Sequence, residues 1–148
     1  MVRILARVML LVGWMLVILI GTCSASMEDI MMAQRIEFHF TMNPGLLEMF
    51  DPLPSEVSAY FIFRKVGHAL VFFILTFLLF SVQPSAWLSG IVALVYAYFT
   101  EVLQLFFMRD GRLFDIAFDS VGIVAAMLVA WVGKEWRRVR RQGHGPSV

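Results

Sequence analysis

Four stretches of the chain, 5–22, 60–82, 86–108 and 113–133, are almost continuously apolar, and each is long enough to cross a bilayer as a helix. A hydrocarbon core of about 30 Å needs roughly 20 apolar residues in helical form. The breaks between them carry turn chemistry. Pro52, Pro54 and Ser55 precede the second stretch, Pro84 and Ser85 the third, and Asp110 with Gly111 the fourth. The expected fold is an all-α, integral membrane bundle of four transmembrane helices in a single domain over 1–148. One long connection, 24–59, carries mixed charges and an Asn43, Pro44, Gly45 turn. Its Leu46–Phe50 piece reads as amphipathic and suited to the membrane surface.

Composition strengthens this picture: 60% of residues are hydrophobic and the mean hydropathy is +0.81, outside the range of ordinary soluble domains. The formal charge of +1 conceals an asymmetry. Arg3 and Arg7 open the chain, and Lys134, Arg137, Arg138, Arg140 and Arg141 follow the last span. Basic loops stay on the cytoplasmic side, so both termini are expected in the cytoplasm of a bacterial plasma membrane, with the long loop and the Arg109 turn facing outward. Trp87, Trp131 and Trp136 suit the inner interfacial belt, Tyr60 and Phe61 the outer one. The basic tail reads as a topology signal, with no nucleic-acid partner expected.

The first stretch has two readings. It is either a retained span or a cleaved signal peptide, since Arg3 and Arg7 precede it and Ser24, Ala25 and Ser26 follow. Ile20 to Cys23 makes a poor lipobox, with Thr22 in the position usually held by a smaller residue. Cys23 is the only cysteine, which excludes an intrachain disulfide and a thiolate metal site. His39, in the outer loop, and His144, in the tail, have no partner identifiable from spacing.

Ionisable groups inside a span cost a few kcal/mol each on insertion scales, so they normally face the bundle interior and have partners. Here they form stripes. Arg64 and Lys65 lie four and three residues before His68 on the second helix. Glu101 and Gln104 share a face of the third. Asp115 and Asp119 are a turn apart on the fourth, with Arg112 before them and Gly122 after. At about 1.5 Å per residue, His68 sits roughly 12 Å inside Tyr60, Glu101 roughly 9 Å inside Phe107 and Asp119 roughly 9 Å inside Leu113. The stripes therefore meet at one depth, in the outer half of the bilayer. Arg64, Lys65, Arg109, Arg112 and Asp115 are expected above them at headgroup level. Small residues, Ala93 and Ala97 on the third helix and Gly122 and Ala126 on the fourth, would permit close approach.

The run Arg64, Lys65, Val66, Gly67, His68, then Glu101 to Gln104, then Arg109 to Asp115, Asp119 and Gly122, resembles the VanZ-like family. Lys65, His68, Glu101, Gln104, Arg109, Asp115, Asp119 and Gly122 fill, in order, the polar and glycine positions of that family. The match covers about half the chain, from Phe63 to Ala126. Phe107 and Met108 depart from it, standing where the family often has Pro and Gly, and Arg112 stands where a small residue is common. The resemblance implies a bacterial envelope protein of the type associated with low-level teicoplanin resistance. It implies a site and supplies no reaction.

Three uses of the cluster follow from its chemistry, beside a purely structural one in which the ion pairs only fix helix register. A basic rim of Arg64, Lys65, Arg109 and Arg112 suits the phosphate or carboxylate of an amphiphile such as a lipid-linked cell-wall precursor or a lipoglycopeptide, with membrane lipids around it. His68, Glu101, Asp115, Asp119 and Gln104 would orient those cations or contact the headgroup. Alternatively, His68 with Glu101 or Asp119 could work as an acid/base set on a lipid phosphate or ester; Ser120 lies about 100° off the Asp119 face, so no nucleophile joins it. The third use is a divalent metal, for which His68, Glu101, Asp115 and Asp119 could supply nitrogen and oxygen ligands, but the neighbouring Arg and Lys would repel a cation and no tight ligand pair such as His-Glu-x-x-His occurs, so no metal and no cofactor is expected. Tyr98, three residues before Glu101, is placed to hydrogen-bond the cluster.

Overall fold

The computed structural model describes residues 2–24, 37–52, 58–109 and 111–142. The expected contributions of Ala25, Ser26, Pro54, Ser55, Asp110, His144 and the Tyr60 side chain lie outside what it describes. The described residues form four long helices: α1 (Val2–Cys23), α2 (Ala59–Val82), α3 (Ala86–Phe106) and α4 (Leu113–Gln142), with a short 3-10 helix at Leu46–Phe50. All four are long and apolar enough to cross a membrane. The chain is an all-α membrane bundle.

Serines start two of the helices. Ser58 Oγ accepts from the Phe61 N–H at 3.1 Å and Ser85 Oγ from the Leu88 N–H at 3.3 Å, each satisfying a donor the first helical turn leaves open. The end of α3 is a Schellman turn: Arg109 N–H bonds Gln104 C=O at 2.9 Å, Met108 N–H bonds Leu105 C=O at 3.3 Å, and Met108 adopts φ 53°. The sequence carries the α3 helix to Met108 and ends the α4 span at Gly133. The structure stops α3 at Phe106 and continues α4 to Gln142. Hydropathy marks where a helix leaves lipid, and the segment after Gly133 is rich in good helix formers, with a Glu135–Arg138 pair one turn apart at 3.6 Å.

The core sets large side chains of α1, α2 and α4 against small residues of α3 and α4. Phe72 and Leu75 of α2, Ala93 and Ala97 of α3, Ile123 and Ala126 of α4 and Ile18 of α1 are buried along the bundle axis. Large apolar side chains such as Val66, Val95 and Val121 instead face outward, the arrangement lipid requires. The tightest approach is between α2 and α4 at Gly122, where a Cβ would strike the Ala69 carbonyl and come within 3.0 Å of the Phe73 nitrogen. α1 lies against α2 and α3, with Trp14 Nε1 donating to Val71 O at 3.1 Å and Tyr96 Oη to Met15 O at 2.6 Å.

The two ends of the bundle differ. One, the chamber end, is formed by the start of α2, the end of α3 and the start of α4. The long connection runs over it: Thr41 N–H bonds Phe106 O at 2.8 Å, and the Phe38 and Phe40 rings pack on Phe106 and Phe107. The 3-10 helix buries Met49 and exposes Leu46, Leu47 and Phe50, an apolar surface of the amphipathic kind expected there. The opposite end gathers the start of α1, the α2–α3 turn and the basic end of α4. There Arg7 donates to Ser81 O and Lys134 to Pro84 O. Trp87, Trp131 and Trp136 are all exposed at that end, as a belt requires.

Candidate functional site

Helical spacing puts Lys65 and His68 of α2, Glu101 and Gln104 of α3, and Asp115 and Asp119 of α4 on the faces these helices turn toward one another. Lys65, Glu101, Gln104, Asp115 and Asp119 are all buried, from 0% exposure at Asp119 to 5% at Lys65. His68 is half-buried, with its Nδ1 3.3 Å from Asp119 Oδ1. The three stripes converge at one depth.

The geometry within the cluster divides it in two. In the first part, Lys65 Nζ is ion-paired and hydrogen-bonded to Asp115 Oδ1, and it is roofed by the Phe61, Phe114 and Phe118 rings at 4.9, 5.1 and 5.8 Å from their centroids. A cation desolvated between aromatic faces and a carboxylate gains from both. Lys65 and Asp115 therefore lie beneath the rim, where their spacing had suggested headgroup level. In the second part, one ligand-type atom each from His68, Glu101 and Asp119 comes within 4.8 Å of the others. The Arg112 backbone N–H donates to Glu101 Oε2 at 2.8 Å. That bond depends on Gly111, which is buried where a Cβ would strike the Glu101 carbonyl and sit 3.3 Å from the Gln104 Cβ.

Above these groups stand three half-buried guanidinium side chains. Arg64 flanks Lys65 on α2, Arg109 donates to the Ser24 carbonyl at the end of α1, and Arg112 lies 5.7 Å from the Phe114 ring centroid. Of the residues singled out from sequence, buried Lys65, Glu101, Gln104, Asp115 and Asp119 with half-buried His68 form an interhelical cluster, here termed the chamber, and half-buried Arg64, Arg109 and Arg112 flank it as what is termed its mouth. Tyr98 does not join it: it is 52% exposed on the lipid side, while the buried stripe of α3 runs through Ala93, Ala97, Thr100 and Gln104. Ser120 donates to Ile116 O within α4, away from the chamber.

Two contributors escaped the sequence reading. The Phe cage around Lys65 has a signal in hindsight, since Phe114 and Phe118 are four apart beside Asp115 and Asp119. The Ser24 carbonyl that receives Arg109 is a backbone acceptor, and such groups leave no trace in residue type.

No solved structure matches the chain. It is 39% identical over 117 residues, 78% of its length and 83% of the relative's, to the uncharacterized membrane protein YwnJ of Bacillus subtilis (strain 168). The VanZ/LLP1 family model matches residues 7–134, a range that takes in α2 and α3 whole, most of α1 and α4, and every member of the chamber and its mouth. With the fold and most of its length accounted for in this way, the chain belongs to the VanZ/LLP1 family of membrane proteins.

Proposed function

We propose that the chamber end binds the anionic headgroup of a membrane amphiphile, of the class of lipid-linked cell-wall precursors or lipoglycopeptides. The observation that carries this reading is the set of Arg64, on α2, and Arg109 and Arg112, in the α3–α4 connection, all half-buried beside a cluster whose own lysine is already paired. Arginine forks pair bidentately with phosphate and carboxylate, and partial burial strengthens such bonds. The acyl or prenyl chain of the ligand would lie along the outward apolar surface of α2, where Ile62, Phe63 and Val66 are exposed.

Orientation follows from charge. Arg3, Arg7 and the Lys134 to Arg141 run share the end opposite the chamber, which supports cytoplasmic termini in a bacterial plasma membrane and a mouth in the outer leaflet. A protein that holds such headgroups there would contribute to glycopeptide resistance by occupying or shielding the antibiotic's lipid-anchored environment.

Binding of undecaprenyl phosphate and of teicoplanin to the chain in nanodiscs tests this. Each lost charge-assisted bond is worth about 1.5–3 kcal/mol, so Arg64→Gln or Arg112→Gln should weaken binding by roughly tenfold or more with the protein still folded. Equal binding by wild type and both variants overturns the reading.

A second reading is favoured by one contact, the 3.3 Å approach of His68 Nδ1 to Asp119 Oδ1 beside Glu101. A histidine oriented by a carboxylate can serve as a general base toward a lipid phosphate or ester. Turnover of such lipids by purified protein, lost in His68→Ala, would promote it.

A further inference from the structure

The buried half of the chamber holds more carboxyl groups than it has lysines to pair with them. Lys65 is committed to Asp115 beneath its phenylalanine roof, which leaves Glu101 and Asp119 as two acidic groups at the centre of three helices. Asp119 is 0% exposed, and neither of its carboxylate oxygens makes a hydrogen bond within the described structure. Its nearest charged neighbour is His68, whose Nδ1 lies 3.3 Å from Asp119 Oδ1 and pairs with it as a cation only when the imidazole is protonated. Buried carboxylates without hydrogen-bond partners are among the most costly groups a protein can hold, and the usual compensations are a paired cation or a metal.

We infer that His68, Glu101 and Asp119 hold a single divalent ion of the Zn2+ or Mn2+ class between α2, α3 and α4. Their ligand atoms lie within 4.8 Å of one another. The ligand atoms of a tetrahedral site with bonds of about 2.0–2.2 Å lie roughly 3.4 Å apart, so modest side-chain rotation closes the set. An imidazole nitrogen with two carboxylate oxygens is the donor set of borderline divalent ions. It is too small and too nitrogenous for Ca2+, and too hard for Cu+. Two carboxylates and a dication sum to zero charge. The Arg112 N–H bond to Glu101 Oε2 orients one ligand from outside, as ligating carboxylates generally are. Three protein ligands leave a coordination position for water or a ligand oxygen.

Nearby Lys and Arg would repel a cation, but those at this site are engaged by other groups. Lys65 is neutralised by Asp115, and the guanidinium groups of Arg109 and Arg112 are directed to the Ser24 carbonyl and the Phe114 ring. The inference is independent of the headgroup reading, which depends on the arginine mouth.

The test uses the full chain in nanodiscs, stripped with chelator and titrated with Zn2+ and with Mn2+. One equivalent should bind per chain and survive gel filtration, with Kd in the micromolar range or tighter. His68→Ala and Asp119→Asn should each weaken binding at least 100-fold, while Tyr98→Phe, on the lipid face, should bind as wild type. Should the two site variants not fold, Zn2+-loaded wild type still decides the matter by X-ray absorption, where nitrogen and oxygen scatterers at about 2.0–2.2 Å including an imidazole are expected. Failure of wild type to retain either ion, binding undiminished in both site variants, or a spectrum without imidazole overturns the site. Headgroup binding by metal-free protein would be unaffected by that failure.

Discussion

The two ends of the bundle hold the same kinds of side chain and treat them in opposite ways. At the end with the termini, Glu135 and Arg138 meet at 3.6 Å with 46% and 69% of their side chains exposed, and Lys134 reaches the Pro84 carbonyl over the Phe80 ring. At the chamber end, Lys65, Glu101, Asp115 and Asp119 are at most 5% exposed. Charges at a wet interface cost little and serve to orient the protein. The same charges beneath three helices cost several kcal/mol each unless they are compensated. Only the chamber end carries that burden, which is why the functional readings concentrate there.

Removing one partner at each end should separate the two regimes most clearly. Lys65→Met leaves Asp115 buried and unpaired, and should lower unfolding free energy in mixed micelles by about 3–5 kcal/mol. The double change Lys65→Met with Asp115→Leu should recover most of that, because two apolar groups of similar volume no longer need compensation. Arg138→Ala should stay within about 0.5 kcal/mol of wild type. Similar losses at the two ends would mean that the chamber is wet, and the contrast would collapse.

The chamber was largely legible because helical periodicity and equal depth are both one-dimensional properties. Lys65, His68, Glu101, Gln104, Asp115 and Asp119 could be assigned to a common height by counting residues. What lay beyond counting was the partition between buried and rim positions. Lys65 and Asp115 go under because Phe61, Phe114 and Phe118 close over the lysine, and that closure depends on how two helices rotate against each other. Tyr98 was misplaced for a similar reason. The buried face of α3 is centred on Ala97, Thr100 and Gln104, on the other side of Glu101 from the tyrosine. The continuation of α4 past Gly133 was hidden because hydropathy reports contact with lipid and is silent on helix in water.

A second difference between the ends concerns glycine. Gly122→Ala drives a methyl group into the Ala69 carbonyl and Phe73 nitrogen of α2, backbone atoms that cannot swing aside, so α2 and α4 must separate. The expected loss is about 1–3 kcal/mol, read as a lowered thermal midpoint in detergent. Gly133→Ala, toward the other end of the same helix, meets only the Arg137 Nη2 at 3.9 Å. It should be neutral or stabilising by up to about 1 kcal/mol, through helix propensity alone. A loss at Gly133 as large as that at Gly122 would show that small residues are needed along the whole of α4.

The turns at the two ends provide the finest comparison. At the α2–α3 turn, Gln83 sits at φ −124°, ordinary extended backbone, and its N–H bonds Leu79 O at 2.9 Å. At the α3–α4 turn, Met108 is held at φ 53° and is 71% exposed, so the strained conformation brings little side-chain burial in return. A left-handed backbone costs a residue with a Cβ roughly 1–2 kcal/mol, part of which glycine returns through its greater freedom when unfolded. Met108→Gly should therefore stabilise the protein by about 1 kcal/mol. Gln83→Gly, where no strain is relieved, should destabilise it by about 0.5–1 kcal/mol. Gln83→Gly also removes the Gln83 Nε2 bonds to Ser89 Oγ at 2.7 Å and Ser85 O at 3.1 Å, so it is the sign at Met108, rather than the size of the difference, that reports backbone strain. Equal signs would instead assign the Met108 conformation to contacts its side chain makes with the lipid surface.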